Sequence, residues 1–389
     1  MVREVVVIGA GIVGVSLARE LAGLAGIRVT VLERDPGEPR GSTTYAPGFV
    51  GLYNDAPILT ELARASANVY EKADTGFTRA GGLELATSAA GAAEVERRAE
   101  AARAAGLPAA LLAPGELPGP VTGFVDTEQV VAAAHYPDDG AAVPPLLTAV
   151  LRAEAAALGA RFVSGQAVTG IERGSGTTYV TTDSGERFAA DDVVLTGGVW
   201  GPSLAGLTGL DLPLFPVAHP YAYSAAGARL SAGPFVRWPE HHVYARVHDD
   251  RLGIGSYDHP PVLVGQATLA EGASLAWAED FAPVITSAQR LLRADARFEP
   301  EQLVNGVFAM TPDNLPFLGP HPTLPGVWIA QAIWVTHAAG AASRLAGALA
   351  HDAAPPPELA VDRFDAHHHD DLRTAALRLY RDIYANDAV

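Results

Sequence analysis

The sequence predicts an α/β chain in which a parallel strand–helix–strand unit is interleaved with a smaller antiparallel sheet. Three observations carry that reading. A β-branched run from Glu4 to Ile8 leads into the glycine-rich turn GAGIVG at 9–14 and then into helical spacing of apolar residues from Val15 to Leu24. The middle of the chain, 213–262, holds alternating stretches such as HHVYARVH and DRLGIGSYDH, the period-2 pattern of half-buried strands. A second strand–turn–helix pattern, from Val327 to Ala350, precedes the run AAPPP at 353–357.

The elements follow in order. Glu4 to Ile8 is apolar on both faces, as a strand inside a parallel sheet must be. Ile27 to Leu32 is the second strand, ending at Glu33, and the two enclose a β-α-β unit of about 30 residues. A loop covers 36–57, helices are expected over 57–74 and 94–105, and the Pro/Gly-rich segment 107–120 reads as a connection. A helix over 146–158 is followed by strands near 161–173, 177–182 and 191–196. A helix near 274–293, a strand at 327–330 and a small-residue helix at 338–350 complete the body. This order assigns 1–80, 143–212 and 300–352 to a nucleotide-binding domain, and 81–142 and 213–299 to a second domain. Residues 353–389 read as an extension beyond the compact body.

Composition narrows the function. The 389 residues carry a formal net charge of −17, which argues against nucleic acid or an anionic membrane as partner. The absence of cysteine excludes disulfides, thiolate metal sites, a Cys nucleophile and a cysteinyl cofactor link. Of the 27 basic residues only Lys72 is a lysine, so a cation inside the fold is expected to be Arg or His. The apolar run at 5–18 is interrupted by three glycines and falls short of the roughly 20 residues that span a bilayer. A cytoplasmic protein without a membrane partner is expected; the oligomeric state is not legible. His367 to His369 stand in acidic surroundings and cannot all face one ion on a helix, so they read as a solvated face, and no metal site is expected.

The turn carries the first chemistry. Gly9 allows a tight turn, Gly11 lets the backbone approach a pyrophosphate, and Gly14 lets helix and strand pack closely. The helix start offers unpaired N–H groups and the positive end of its dipole to phosphates. Glu33 lies 19 residues beyond Gly14, at the end of the next strand, where a carboxylate accepts from ribose hydroxyls and disfavours a 2′-phosphate. Later segments favour FAD over NAD. GSTTYAPGFVG at 41–51 stands where it would cover the flavin end, DDVVLTGGVWGPSL at 191–204 runs a strand into Gly197, and PGVWIAQAIWVTHAAGAA at 325–342 supplies another helix start.

Together these segments, with LFPVAHPY, HHVYAR, RLGIGSYDH, NGVFAMTPDNLPFLGP and AIWVTHAAG, resemble the glycine oxidase, sarcosine oxidase and D-amino-acid oxidase superfamily. Within it the resemblance is to the flavin portion of dimethylglycine oxidase and its dehydrogenase relatives, over residues 5 to about 350. It implies a Rossmann-like FAD-binding domain interleaved with a smaller antiparallel-sheet substrate domain. It also implies FAD contacts at Ile12, Val13, Glu33, Arg34, Ser42, Thr43, Thr44, Tyr45, Phe49 and Val168, with Trp334, Val335, Thr336 and His337 at the isoalloxazine. In that group the position matching Tyr45 is a histidine bonded to the flavin; a tyrosine there implies non-covalent FAD, with a tyrosyl ether as the alternative.

The resemblance assigns His219 and Tyr244 to the reacting end of the site. Amine oxidation needs an unprotonated nitrogen, and a histidine with an ordinary pKa of about 6.5 suits that demand. A histidine in a Pro-flanked strand is equally consistent with a satisfied core residue. Tyr244 would orient the amine or carboxylate of a substrate. Arg246, two residues on and on the same strand face, is a candidate for a substrate carboxylate, with a surface arginine as the alternative. Tyr257 and His337 are candidates for the pocket wall, and His337 also for positive charge during oxygen reduction. The expected activity is FAD-dependent oxidation of a small secondary or tertiary amine or amino acid, with O2 reduced to H2O2. The alternatives are a dehydrogenase serving a protein acceptor and a flavin-binding protein without turnover. Dimethylglycine oxidases carry a further folate-binding domain, and the chain stops before one, so released aldehyde is expected.

Overall fold

The structure is a computed structural model and describes residues 2–37, 39–227, 230–351 and 355–383. Strand β1 (Arg3–Ile8), helix α1 (Ile12–Ala22) and strand β2 (Ile27–Glu33) form the opening crossover. They lie in a six-stranded sheet ordered Phe317–Pro320, Val327–Gln331, Asp192–Leu195, β1, β2, Arg161–Ser164. All neighbours are parallel except the first pair. Because β1 is covered on both faces, Val5, Val6 and Val7 are almost fully buried. Helix α1 packs beside helices Pro144–Ala157 and Ala338–His351. At Gly340 a Cβ would collide with the Leu62 backbone, so only glycine lets helices Pro57–Tyr70 and Ala338–His351 approach this closely.

The second layer is an eight-stranded sheet, one half of which is formed by β3 (Phe215–Tyr223), β4 (Val243–His248), β5 (Arg251–Ser256) and the edge strand β6 (Gln302–Met310). Its order is β6, β3, β5, β4, Phe235–Trp238, Gly82–Ala86, Ala132–Tyr136, Ala110–Leu112. A three-stranded sheet of Phe49–Val50, Gly140–Ala142 and Phe77–Thr78 lies at the junction, and another, Val168–Arg173 to Ala190, extends beside the parallel sheet. Among the described residues no helix is long and apolar enough to cross a membrane.

Several expectations change. Residues 302–310 leave the nucleotide-binding part and pair with β3 along its whole length. The helix expected at 274–293 is confined to Phe281–Ala288, because Pro283 has no amide hydrogen and is tolerated only in a first turn. The connection at 107–120 contributes an edge strand, Ala110–Leu112. The described part of the C-terminal extension is not outside the body. Helix α2 (His369–Arg381) buries Leu372, Ala376, Leu379 and Tyr380 against the second core. Its Asp370 and Asp371 stand at the N-terminus and Arg378 and Arg381 at the C-terminus, which suits the helix dipole. His367, His368 and His369 are exposed. Residues 353, 354 and 384–389 of that extension lie outside the described residues.

Candidate active site

A cavity of about 430 Å³ runs from the glycine turn to the large sheet. At its first end Gly9 has φ +112°, a conformation that L side chains rarely adopt, and a Cβ there would meet the Thr196 carbonyl oxygen at 2.6 Å. A Cβ on Gly14 would overlap the Gly9 carbonyl oxygen, so Gly14 lies beneath the turn and does not line the cavity. Thr196, overlooked in the sequence, ties the turn down: its hydroxyl donates to the carbonyls of Ile8 at 2.8 Å and Gly9 at 3.1 Å. The first-turn amides of α1 have no intrahelical acceptor. That of Ile12 donates to Thr43 Oγ1 at 3.2 Å.

Glu33 lines the same end. Its carboxylate accepts from the Ala10 amide at 2.7 Å and the Asp35 amide at 3.0 Å. Two bonds fix its orientation and leave lone pairs for two hydroxyl donors, since a carboxylate has about four acceptor positions. Arg34 lies 4.3 Å over the Trp200 ring, and both line the cavity with Val168. The turn, acid and planar stack fit an adenosine diphosphate moiety.

Farther in, Ser42, Thr43, Tyr45, Gly197, Trp334 and Val335 line the wall. Ser42 Oγ donates to Val307 O at 2.8 Å, which anchors the short helix Ser42–Tyr45 to β6. Gly306 in β6 would place a Cβ 3.7 Å from Tyr45 Cβ. Ala332, immediately after strand Val327–Gln331, holds φ +56° at the cavity wall, a strained backbone for a residue with a side chain. Four expected contacts stand outside the lining. Thr44 is exposed and donates to the Pro39 carbonyl, Phe49 packs 4.6 Å from Phe235, Thr336 donates to Phe49 O at 3.0 Å, and His337 is buried behind Trp334.

The far end is an aromatic cluster on one face of β3, β4 and β5. Strand alternation places His219, Tyr221 and Tyr223 together on β3, and Tyr244, Arg246 and His248 together on β4. Between them β5 offers Gly253 and Gly255. A Cβ at Gly255 would meet the Tyr244 ring at 2.5 Å and Tyr221 at 2.7 Å, and one at Gly253 would overlap the Tyr221 hydroxyl. The GIG spacing of RLGIGS is therefore a legible signal for rings lying flat across that strand.

His219 lines the cavity and is only 3% exposed. Its Nε2 lies 2.7 Å from Tyr244 Oη and its Nδ1 2.7 Å from Tyr380 Oη. Tyr257 packs against it, with ring centroids 4.5 Å apart. Burial, aided by the neighbouring His259, holds its pKa well below the ordinary value, so the ring is neutral near pH 7. That corrects the expectation of a base titrating near 6.5. His337 is likewise pushed by burial down to about 4, so it supplies no positive charge near neutral pH.

Arg246 is 7% exposed, which removes the surface alternative. Its Nη1 donates to Pro47 O at 3.0 Å and Ala142 O at 2.9 Å. No carboxylate of a described residue stands within ion-pair distance. Burial lowers its pKa, against the opposing influence of Tyr221, Tyr223 and the more distant Asp249 carboxylate. Pro47 and Tyr221 line the cavity, while Arg246, Tyr244 and Tyr257 lie in the layer behind. Tyr221 and Tyr380 are among the rings that sequence reasoning missed, with His259 and Phe308.

A cavity with a glycine turn, a helix N-terminus and an acid with acceptor positions to spare at one end, and titratable rings at the other, suits a dinucleotide-dependent oxidoreductase. More particularly, the chain belongs to the FAD dependent oxidoreductase family (DAO), whose model matches residues 4–348. It is 27% identical over 374 residues to mitochondrial dimethylglycine dehydrogenase of Mus musculus, covering 90% of this chain and 43% of that protein. The chain thus spans less than half of that relative. It is 25% identical over 344 residues to glycine oxidase of Geobacillus kaustophilus, covering 84% of this chain and 86% of that one. The crystal structure of L-proline dehydrogenase from P. horikoshii shares the fold, with a TM-score of 0.81 and 24% identity over 94% of this chain and 98% of that one.

Proposed function

We propose that the protein oxidises the carbon–nitrogen bond of a small secondary or tertiary amine bearing a carboxylate, such as an N-methyl or glycine-like amino acid. The observation that carries this reading is the buried Arg246, which has no carboxylate partner among the described residues and is hydrogen-bonded to the cavity wall. Buried charges are otherwise paired, and a guanidinium matches a carboxylate in two parallel hydrogen bonds. A substrate carboxylate would supply the missing charge.

The residues fit FAD. Gly9, Gly11, Ile12 and Val13 would take the pyrophosphate, Glu33 the ribose, Arg34 and Val168 the adenine side, and Tyr45, Trp334 and Val335 the ring system, held without a covalent bond. FAD held there would supply the acceptor for the hydride leaving the carbon beside nitrogen. The apolar wall around His219 disfavours an ammonium and so favours the neutral amine that reacts. The imine product would take up water to give an aldehyde and the smaller amine, with O2 as the final electron acceptor and H2O2 as its product.

The dehydrogenase names among the relatives favour a second reading, in which a protein acceptor replaces O2. Peroxide yield per turnover under air separates the two: one equivalent supports the oxidase and none supports the dehydrogenase. Steady-state turnover with sarcosine, dimethylglycine, glycine and the corresponding decarboxylated amines tests the carboxylate requirement. Equal kcat/KM for an acid and its decarboxylated partner would refute it.

A further inference from the structure

Helix α2 delivers Tyr380 to the back of the cavity. Its hydroxyl lies 2.7 Å from His219 Nδ1, 2.8 Å from His259 Nε2 and 3.0 Å from Ala218 O, and the residue is fully buried. His259 Nδ1 in turn lies 2.9 Å from Pro260 O. Four side chains therefore form one continuous line: Tyr244, His219, Tyr380, His259.

We propose that Tyr380 and His259 are positioning residues that fix the tautomer of His219, with the proton on Nδ1 and the Nε2 lone pair turned to Tyr244. The proposal rests on the reading of His219 as the ring at the reacting end of the cavity.

The direction of the line follows from its last member. A carbonyl oxygen only accepts, so His259 Nδ1 must carry a proton to bond Pro260 O. In the neutral ring Nε2 is then a lone pair, and Tyr380 must donate to it. Tyr380 has a single hydroxyl proton, so its oxygen accepts from His219 Nδ1–H. A neutral His219 with its proton on Nδ1 accepts at Nε2 from the Tyr244 hydroxyl.

The arrangement survives protonation of His259. Both of its nitrogens then donate, Tyr380 turns its proton to Ala218 O, and His219 Nδ1–H still finds the Tyr380 oxygen. The opposite tautomer needs Tyr380 to donate to His219. His259 Nε2–H would then have to donate to Tyr380, which requires a buried cation or a lone pair facing Pro260 O.

The consequence reaches the substrate. Tyr244 commits its only proton to His219, so towards any further partner its oxygen acts as an acceptor. Standing behind the cavity lining, it orients His219 and offers no hydroxyl proton to a substrate carboxylate.

The test is the long-range proton–nitrogen correlation spectrum of histidine-labelled full-length holoenzyme, with His219 assigned by its loss in His219→Gln. The expected spectrum shows a protonated Nδ1 and a bare Nε2. In Tyr380→Phe the Nδ1–H loses its acceptor, and the proton is expected to move to Nε2. A wild-type proton on Nε2, or an Nδ1–H signature that survives Tyr380→Phe, would overturn the proposal, and the wild-type spectrum decides alone should the variant fail to fold. The measurement needs no turnover. A chain that binds FAD yet oxidises no amine would therefore refute the functional reading while leaving this result intact.

Discussion

The two ends of the cavity are built on opposite principles. The glycine turn uses backbone: absent side chains, exposed amides and one acid, all within Ile8 to Glu33 and held by parallel strands. The aromatic end uses side chains from β3, β4 and α2, which are far apart in the chain, with glycines of β5 making room. The first end tolerates almost no added atom. The second end depends on the polarity and protonation of a few rings, so damage there should spare cofactor binding.

That contrast can be broken in graded steps. Gly14→Val should have the largest effect, because its Cβ overlaps the Gly9 carbonyl and the backbone cannot yield cheaply. Overpacking costs about 1–3 kcal/mol or more; loss of FAD from the purified protein and a fall in melting temperature are expected, and a fully loaded variant would contradict the account. Acid should act on several buried histidines at once. The folded-state pKa of His337, about 4, lies below its ordinary value near 6.5. Its contribution is complete above pH 6.5 and declines as pH falls towards 4, because the unfolded chain takes up the proton first; the loss is roughly 3 kcal/mol. His219 and His248 act with the same sign. Denaturant melts of the holoprotein from pH 7 to 4 measure this, and His337→Asn should flatten the curve.

Arg246→Met should leave FAD content unchanged while lowering kcat/KM for carboxylate-bearing amines about 100-fold, near 3 kcal/mol, with decarboxylated amines affected far less. Gly255→Ala presses on Tyr244 and Tyr221, and a destabilisation of about 1–3 kcal/mol with weakened turnover but retained flavin is expected. Tyr45→Phe should do least, within about 0.5 kcal/mol in stability. Acid precipitation should release yellow cofactor from both variant and parent, and colour kept in the parent's pellet alone would establish a tyrosyl link.

The same contrast explains what could be read in advance. The turn end was legible because its residues are contiguous and each glycine has a steric duty that spacing reveals. At the aromatic end single members such as His219 and Tyr244 were nameable by resemblance, but their pairing and neutral charge come from burial that no local pattern shows. Strand β6 escaped notice because Gly306 interrupts its apolar run. Tyr380 was missed although Leu372, Ala376, Leu379 and Tyr380 keep helical spacing, because the proline run before them looked like the end of the fold.

The measurement that bears most directly on the account is anaerobic titration of the yellow holoprotein with sarcosine, dimethylglycine, glycine and D-amino acids, followed by its visible spectrum. The account predicts that at least one amine with a carboxylate bleaches the flavin and that Arg246→Met needs far more of it. A flavin that stays oxidised with every member of the panel, yet bleaches with dithionite, would contradict it.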